Sequence, residues 1–119
     1  MRKYRNKPTT YKGIKFDSIL ECDRYKQLEL LERAGEIRDL QTQPKFILQD
    51  KFERGDRKIR AITYKGDFYY YDCKIQRIVC EEIKGFETRD YKLRKKMFLK
   101  RFPNIVFFQN SKKKKEYYK

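Results

Sequence analysis

Hydrophobic residues follow one another without a polar break at Ile105-Val106-Phe107-Phe108. Such a run predicts a strand covered on both faces. Near the start, Phe16-Asp17-Ser18 opens a helical pattern that runs to about residue 34, with Gly35 as its C-terminal cap. On a helical projection Ile19, Leu20, Leu30, Leu31 and Ala34 form one apolar arc, and Glu21 lies on its flank near Leu28. A second helix is predicted over residues 89–101, capped by Thr88, with Tyr91, Phe98 and Phe102 on one face and Pro103-Asn104 ending it. Between the helices the alternation shortens to strand-like runs: Phe46-Ile47-Leu48, a charged turn about Arg54-Gly55-Asp56, one long strand over residues 59–71, and another over 77–84. Asp72-Cys73-Lys74 predicts a connection that makes the last two an antiparallel hairpin. The class is α/β, with a mixed central sheet flanked by helices.

Composition narrows what such a fold can do. At 119 residues the chain has the size of one domain, and 16% aromatic content supplies a core despite 41% charged residues. A basic arm over residues 1–12 and a basic tail over 110–119, expected to be frayed from Lys112 onward, flank a central domain over 13–109. Thirty-two Lys and Arg against 17 Asp and Glu leave a formal charge of +15. Self-repulsion of that size does not help folding, so a polyanion is the simplest partner, with a solubility device or a ribosome-associated role as the plainer readings. No stretch is apolar enough to span a membrane, and the basic N-terminus lacks the apolar core of a secretory signal. Cys22, Cys73 and Cys80 form no C-x-x-C pair, which suggests neither a disulfide framework nor a zinc site and fits a reducing cytoplasm. The chain has no histidine, so His-based nucleases, Ser-His hydrolases and nearly all zinc chemistry are excluded. Carboxylates, lysine, tyrosine and arginine remain for catalysis, and carboxylates with lysine suit a hard cation such as Mg²⁺, with Mn²⁺ able to substitute.

Strand parity gives the sharpest candidate. Glu82 and Lys84 project to one side of their strand, with Ile83 pointing away. Asp67, beside Gly66 on the preceding strand, reaches the same patch if the two strands pair. Converging carboxylates can bind a divalent metal, and a lysine two residues on can hold water or stabilise charge at phosphorus. A tripeptide of the form Glu-x-Lys is common in so charged a chain, and Asp67 alone fits a turn-flanking residue. Glu82 nevertheless stands on an otherwise apolar strand (Ile78, Val79, Cys80, Ile83), where a carboxylate must be paired or metal-bound. Glu81, on the opposite face, is expected to pair with helix lysines or arginines. Lys65 is placed to share a face with Asp67 and lower its pKa. Glu21 has a bland explanation in a capping box with Ser18, and the two roles are compatible.

The order of Glu21 on a first helix, Asp67 on a strand and Glu82-Ile83-Lys84 on the next resembles the PD-(D/E)XK nuclease superfamily. That group includes restriction enzymes, transposon-end nucleases and several Holliday-junction resolvases. The chain is also similar to a family of small phage-borne proteins held to be endonucleases. The matching segments are Gly13-Ile14-Lys15-Phe16-Asp17-Ser18 with Glu21, Gln43-Pro44-Lys45-Phe46, Ile62-Thr63-Tyr64 with Asp67-Phe68, Glu82-Ile83-Lys84-Gly85, Thr88 and Tyr91-Lys92-Leu93. The resemblance implies an αβββαβ restriction-endonuclease-like core and Mg²⁺-dependent hydrolysis of DNA phosphodiesters. It implies metal-binding roles for Asp67 and Glu82, a catalytic Lys84, and a contribution from Glu21 through water or metal. Gly66 stands where the superfamily name places a proline.

DNA is thus the expected partner, a homodimer follows from family analogy alone, and the expected location is the cytoplasm of a bacterial host cell. Arg2, Lys3 and Arg5 on the arm and Lys92, Lys95 and Lys96 on the second helix are candidate phosphate contacts, although each also fits a solvated charged face. Tyr69, Tyr70 and Tyr71 suit either base stacking or sheet packing. The competing functions are a non-catalytic DNA-binding or packaging accessory that keeps the fold, and a basic RNA-binding module.

Overall fold

A computed structural model of the chain describes residues 7–119. Lys12 and Gly13 both take positive φ, 52° and 81°, the combination that closes a tight hairpin whose twist matches its strands. They join β1 (Thr9–Tyr11) to β2 (Ile14–Phe16). The expected arm therefore ends earlier than residue 12, because Thr9–Tyr11 folds onto the domain and the Tyr11 hydroxyl donates to Glu29 at 2.9 Å.

Ser18 caps α1 (Ile19–Arg33), its Oγ accepting from the Glu21 N–H at 3.1 Å. The buried stripe of α1 differs from the expected arc. Leu28 is fully buried and Cys22 nearly so, with Tyr25 and Leu31 packed beside them, whereas Leu30 is 61% exposed. The aromatic rings decide this: Tyr25 lies 5.3 Å from Phe16 and 6.2 Å from Phe68, centroid to centroid.

The chain continues through β3 (Ile37–Thr42), β4 (Lys45–Gln49), β5 (Phe52–Arg54), β6 (Arg57–Ile59), β7 (Ile62–Lys65), β8 (Phe68–Asp72) and β9 (Arg77–Ile83). Then follow α2 (Arg89–Arg101), β10 (Val106–Asn110) and β11 (Lys115–Tyr118). The main sheet is mixed, ordered β11-β10-β9-β8-β3, with β9 and β10 parallel and the other neighbours antiparallel. One face packs against α1 through Val79, Val106 and Phe108; the other carries Cys80 and Phe107 against Tyr91 and Phe98 of α2. β10 is thus covered on both faces, as its apolar run requires. The sheet and its helices follow one another in the chain as α1, β3, β8, β9, α2, β10, while β4 to β7 form a separate excursion between β3 and β8.

Two further expectations need correction. The single strand over residues 59–71 is broken at Gly66-Asp67: β7 pairs with β4, and β8 with β3 and β9. Gly66 makes the crossing possible. Its N–H donates to the Pro44 carbonyl at 2.9 Å, and a Cβ there would meet the buried Cys80 Sγ at 2.9 Å. A proline at this place would lose the bond and collide, which explains why glycine occupies it. Gly66→Ala is expected to cost about 1–3 kcal/mol by overpacking, read as a lower urea midpoint at unchanged m-value. The second correction concerns the tail, which is an ordered edge strand and not frayed. Tyr117 stacks on Phe108 at 4.1 Å, and Tyr118 packs edge-on against Phe107. Cys22, Cys73 and Cys80 are free. Among the described residues no helix is long and apolar enough to cross a membrane.

Candidate functional site

The central strand β9 sorts its side chains by parity. Val79, Glu81 and Ile83 face α1, while Cys80 and Glu82 face α2. Glu82 is 7% exposed, accepts from the Tyr64 hydroxyl, and lies 3.5 Å from the Lys84 ammonium. That ammonium also sits 4.1 Å from the centre of the Tyr91 ring, so its stem is held between α2 and the sheet.

Asp67 occupies the bend before β8 and extends the ladder by one step. Its N–H donates to the Glu81 carbonyl at 3.1 Å and its carbonyl accepts from the Gln43 N–H at 2.9 Å. Its Oδ2 accepts from the Ile83 N–H at 2.7 Å, which pins the carboxylate beside the end of β9. Glu21 arrives from the first turn of α1, seven residues and nearly two turns before the fully buried Leu28. Its carboxyl lies close enough to interact with that of Asp67, whose pKa its charge raises, and it feels the Glu82 charge. The Glu21 main chain meanwhile completes the Ser18 cap, so the capping and site roles coexist.

Burial, and then the crowding of acids, sets the electrostatics. Burial, then the charges of Glu82 and Glu21, push Asp67 up to about 9. Burial, then the Asp17 charge, raises Glu21, and burial raises Glu82 against the opposing pull of Tyr64 and Lys84. The expected lowering of Asp67 by Lys65 does not occur. Lys65 is exposed on β7, in the other pairing unit, and Asp67 responds to the carboxylates beside it.

The donors are all carboxylate oxygens, which suits a hard divalent cation, and the raised pKa values reflect, first, burial of all three carboxyls and, for Glu21 and Asp67, neighbouring acids. Among the described residues, no three His, Cys, Asp or Glu side chains stand preassembled at metal-binding geometry. Glu82 is drawn towards Tyr64 and Lys84, and Asp67 is tied to the Ile83 N–H. A pH dependence follows with a definite sign. Asp67 binds its proton more tightly folded than unfolded, so the metal-free fold should lose stability as pH rises from about 4 to about 9. The thermal midpoint in EDTA should be higher at pH 5 than at pH 8, and Mg²⁺ should narrow that difference. A flat profile in EDTA would contradict the crowding.

On the opposite face, Glu81 is fully buried and bound as expected by a helix cation. Arg24 donates through Nε at 2.7 Å and Nη2 at 3.1 Å; Tyr70 and Asn110 complete the shell at 2.7 and 2.9 Å. Tyr70 is therefore a packing and hydrogen-bonding residue, 5% exposed. Tyr69 packs edge-on against Phe46, and Tyr71 lies under the Arg38 guanidinium.

Sequence reasoning missed Tyr64, Gln109 and Glu87. Gln109 is paired in register with Glu82, accepts from the Tyr91 hydroxyl at 2.6 Å and from Lys95 at 2.9 Å, and donates to Glu87 at 2.8 Å. A polar residue at the end of the apolar β10 run was the available signal. Lys95 departs from its expected role. Its ammonium turns inward to Gln109, Tyr118 and Glu87 and is not an open phosphate contact. Lys92 and Lys96 are exposed on α2, while Arg2, Lys3 and Arg5 lie outside the described residues.

Residues 1–118 match the family described as protein of unknown function (DUF1064). The chain belongs to this family. No curated protein matches it. Among solved structures, this DUF1064 chain is similar to one titled "Crystal structure of SSO0001", with a TM-score of 0.43 and 15% sequence identity. The match covers 84% of this chain and 50% of that one, so the chain spans about half the length of that protein.

Proposed function

We propose that this DUF1064 protein is a divalent-metal-dependent endonuclease of the PD-(D/E)XK type that hydrolyses DNA phosphodiester bonds. One observation carries the reading: Glu21, Asp67 and Glu82 arrive from α1, the bend before β8 and the end of β9, with Lys84 3.5 Å from Glu82. The α1, β3, β8, β9, α2, β10 order supports an αβββαβ core of the restriction-endonuclease kind. The +15 charge supports a nucleic-acid substrate. A cation held by Asp67, Glu82 and Glu21 would supply Lewis acidity to the scissile phosphate and acidify a water. Asp67, fixed by the Ile83 N–H, orients that site, and Lys84 places positive charge where it can hold the attacking water or meet charge developing at phosphorus. One small domain offers little surface for reading a long sequence, which favours shape and so branched or structured DNA. A phage origin, action in the bacterial cytoplasm and a homodimer cutting a junction symmetrically complete the proposal.

A second reading, a non-catalytic DNA-binding accessory, draws on the fact that Tyr64 and Lys84 already engage the Glu82 oxygens. Incubating the protein with supercoiled plasmid and a synthetic four-way junction, in Mg²⁺, Mn²⁺ or EDTA, separates the two. Nicking in either metal and none in EDTA is expected. Binding with no cleavage of either substrate in either metal would favour the accessory, and tighter binding to RNA that survives EDTA would favour an RNA module.

A further inference from the structure

The excursion between β3 and β8 is larger than the site requires. Strands β4 and β7 pair, and β5 and β6 continue the hairpin to a turn at Gly55-Asp56. The ribbon spans roughly ten residues a side, on the order of 30 Å at about 3.3 Å per residue. Its base packs against α2 through Leu48 and Tyr64. Every residue from 49 to 60 is exposed.

Exposure of this outer half includes two large apolar side chains, Phe52 at 45% and Ile59 at 38%, which are direct cross-strand partners. Arg54 and Arg57 are the next partners with parity to match, so both stand on the Phe52 and Ile59 face. Glu53 and Lys58 pair on the other face. Strand alternation has therefore put an apolar pair and two arginines together and turned the strands' acid away. Arg54 and Arg57 make no ion pair among the described residues. An arginine pair directly opposed across a ladder is unfavourable by itself, and the two apolar side chains leave much of their surface in water although they pair with each other.

We infer that the Phe52, Arg54, Arg57 and Ile59 face of this ribbon is a DNA-binding surface, in which the arginines hold phosphates and the apolar pair packs on bases exposed where a duplex branches. It rests on the reading that DNA is the substrate. A two-stranded ribbon fits the major groove of a duplex, and apolar side chains flanked by arginines are what opens or covers a base step. The ribbon would thereby supply the contacts through which this small domain prefers branched DNA.

Fluorescence anisotropy in EDTA, with a labelled four-way junction and a labelled linear duplex, tests this without any cleavage. Arg54→Ala/Arg57→Ala should weaken both probes about tenfold and reduce the slope of log affinity against log salt by about 2. Phe52→Ala/Ile59→Ala should leave that slope unchanged but lower the junction-over-duplex preference by about tenfold, as loss of base stacking does. All four side chains are exposed, so thermal midpoints should fall by no more than the loss of one cross-strand pair explains. Wild-type affinity and slope in the arginine variant, or an unchanged junction preference in the apolar variant, overturns the inference, as does failure of the wild type to bind DNA. Sedimentation covers the remaining occupant: if the substitutions dissociate a dimer while DNA binding stays intact, the face joins two copies of this chain and the inference fails. Junction binding by the wild type without cleavage in Mg²⁺ would sink the nuclease reading and leave this one standing.

Discussion

Lys84→Ala is expected to lower single-turnover cleavage of supercoiled plasmid by about 10²–10³-fold, the usual loss when one preorganised charge-stabilising group is removed. Affinity for DNA in the absence of metal should change by no more than one phosphate contact would explain. The reason is positional. The Lys84 main chain continues the ladder through its N–H to the Asn110 carbonyl at 3.1 Å, and its stem lies across Tyr91, so the ammonium is delivered beside Glu82 and not to the open surface. Lys84→Arg should rescue little, because a planar guanidinium cannot occupy a position shaped for a compact ammonium. If both variants cut at the wild-type rate, the nuclease would survive but its site would have to be sought elsewhere.

The second large effect concerns stability and lies on the other face of β9. Arg24→Met should destabilise the protein by about 3–5 kcal/mol, because it leaves a buried carboxylate without its cation. Glu81 has no solvent exposure, and Tyr70 and Asn110 can donate to it but cannot neutralise it. A fall of the thermal midpoint by about 10 °C or more is expected at neutral pH. Arg24→Met/Glu81→Gln, which removes the charge as well, should recover much of the loss. Equal destabilisation in the single and double variants would mean that lost packing, not the stranded charge, sets the cost.

Where periodicity is strong, the chain states its own structure. Thr88, Tyr91 and Phe98 mark α2 to its observed ends, and parity on β9 separates Glu81 from Glu82. The α1 face was harder to read. Its buried stripe includes Cys22 and Tyr25, which a projection of the most apolar residues passes over, and it leaves Leu30 in water. β3 was not foreseen. Its alternation is broken at Asp39, which takes φ 58° where the register with β8 shifts. The interruption at Gly66 also escaped notice, since a β-branched and aromatic run looks continuous whichever sheet each half joins. The tail was judged on its lysines, and the two tyrosines that dock it lie beyond them.

The site shows the same division. Glu82 and Lys84 follow from strand parity. Asp67 depends on the register of β8 with β9, and Glu21 on where α1 meets the end of the sheet, which no local pattern encodes. Tyr64 and Gln109 are set by pairing between distant strands, so an ordinary tyrosine gives no warning of its place beside Glu82, and Gln109 signals its own only as a polar residue closing an apolar run.

The central claim is that Asp67 belongs to a metal-dependent cutting site and not merely to a DNA-binding fold. Asp67→Asn keeps the shape and the hydrogen bond from the Ile83 N–H while removing the charge a divalent cation needs. The most direct measurement follows binding and nicking of one labelled four-way junction by wild type and Asp67→Asn, side by side in Mg²⁺. The expected result is junction binding by both proteins and cleavage by the wild type alone. Equal cleavage by the two, or binding by both with no cleavage by either, would contradict the account.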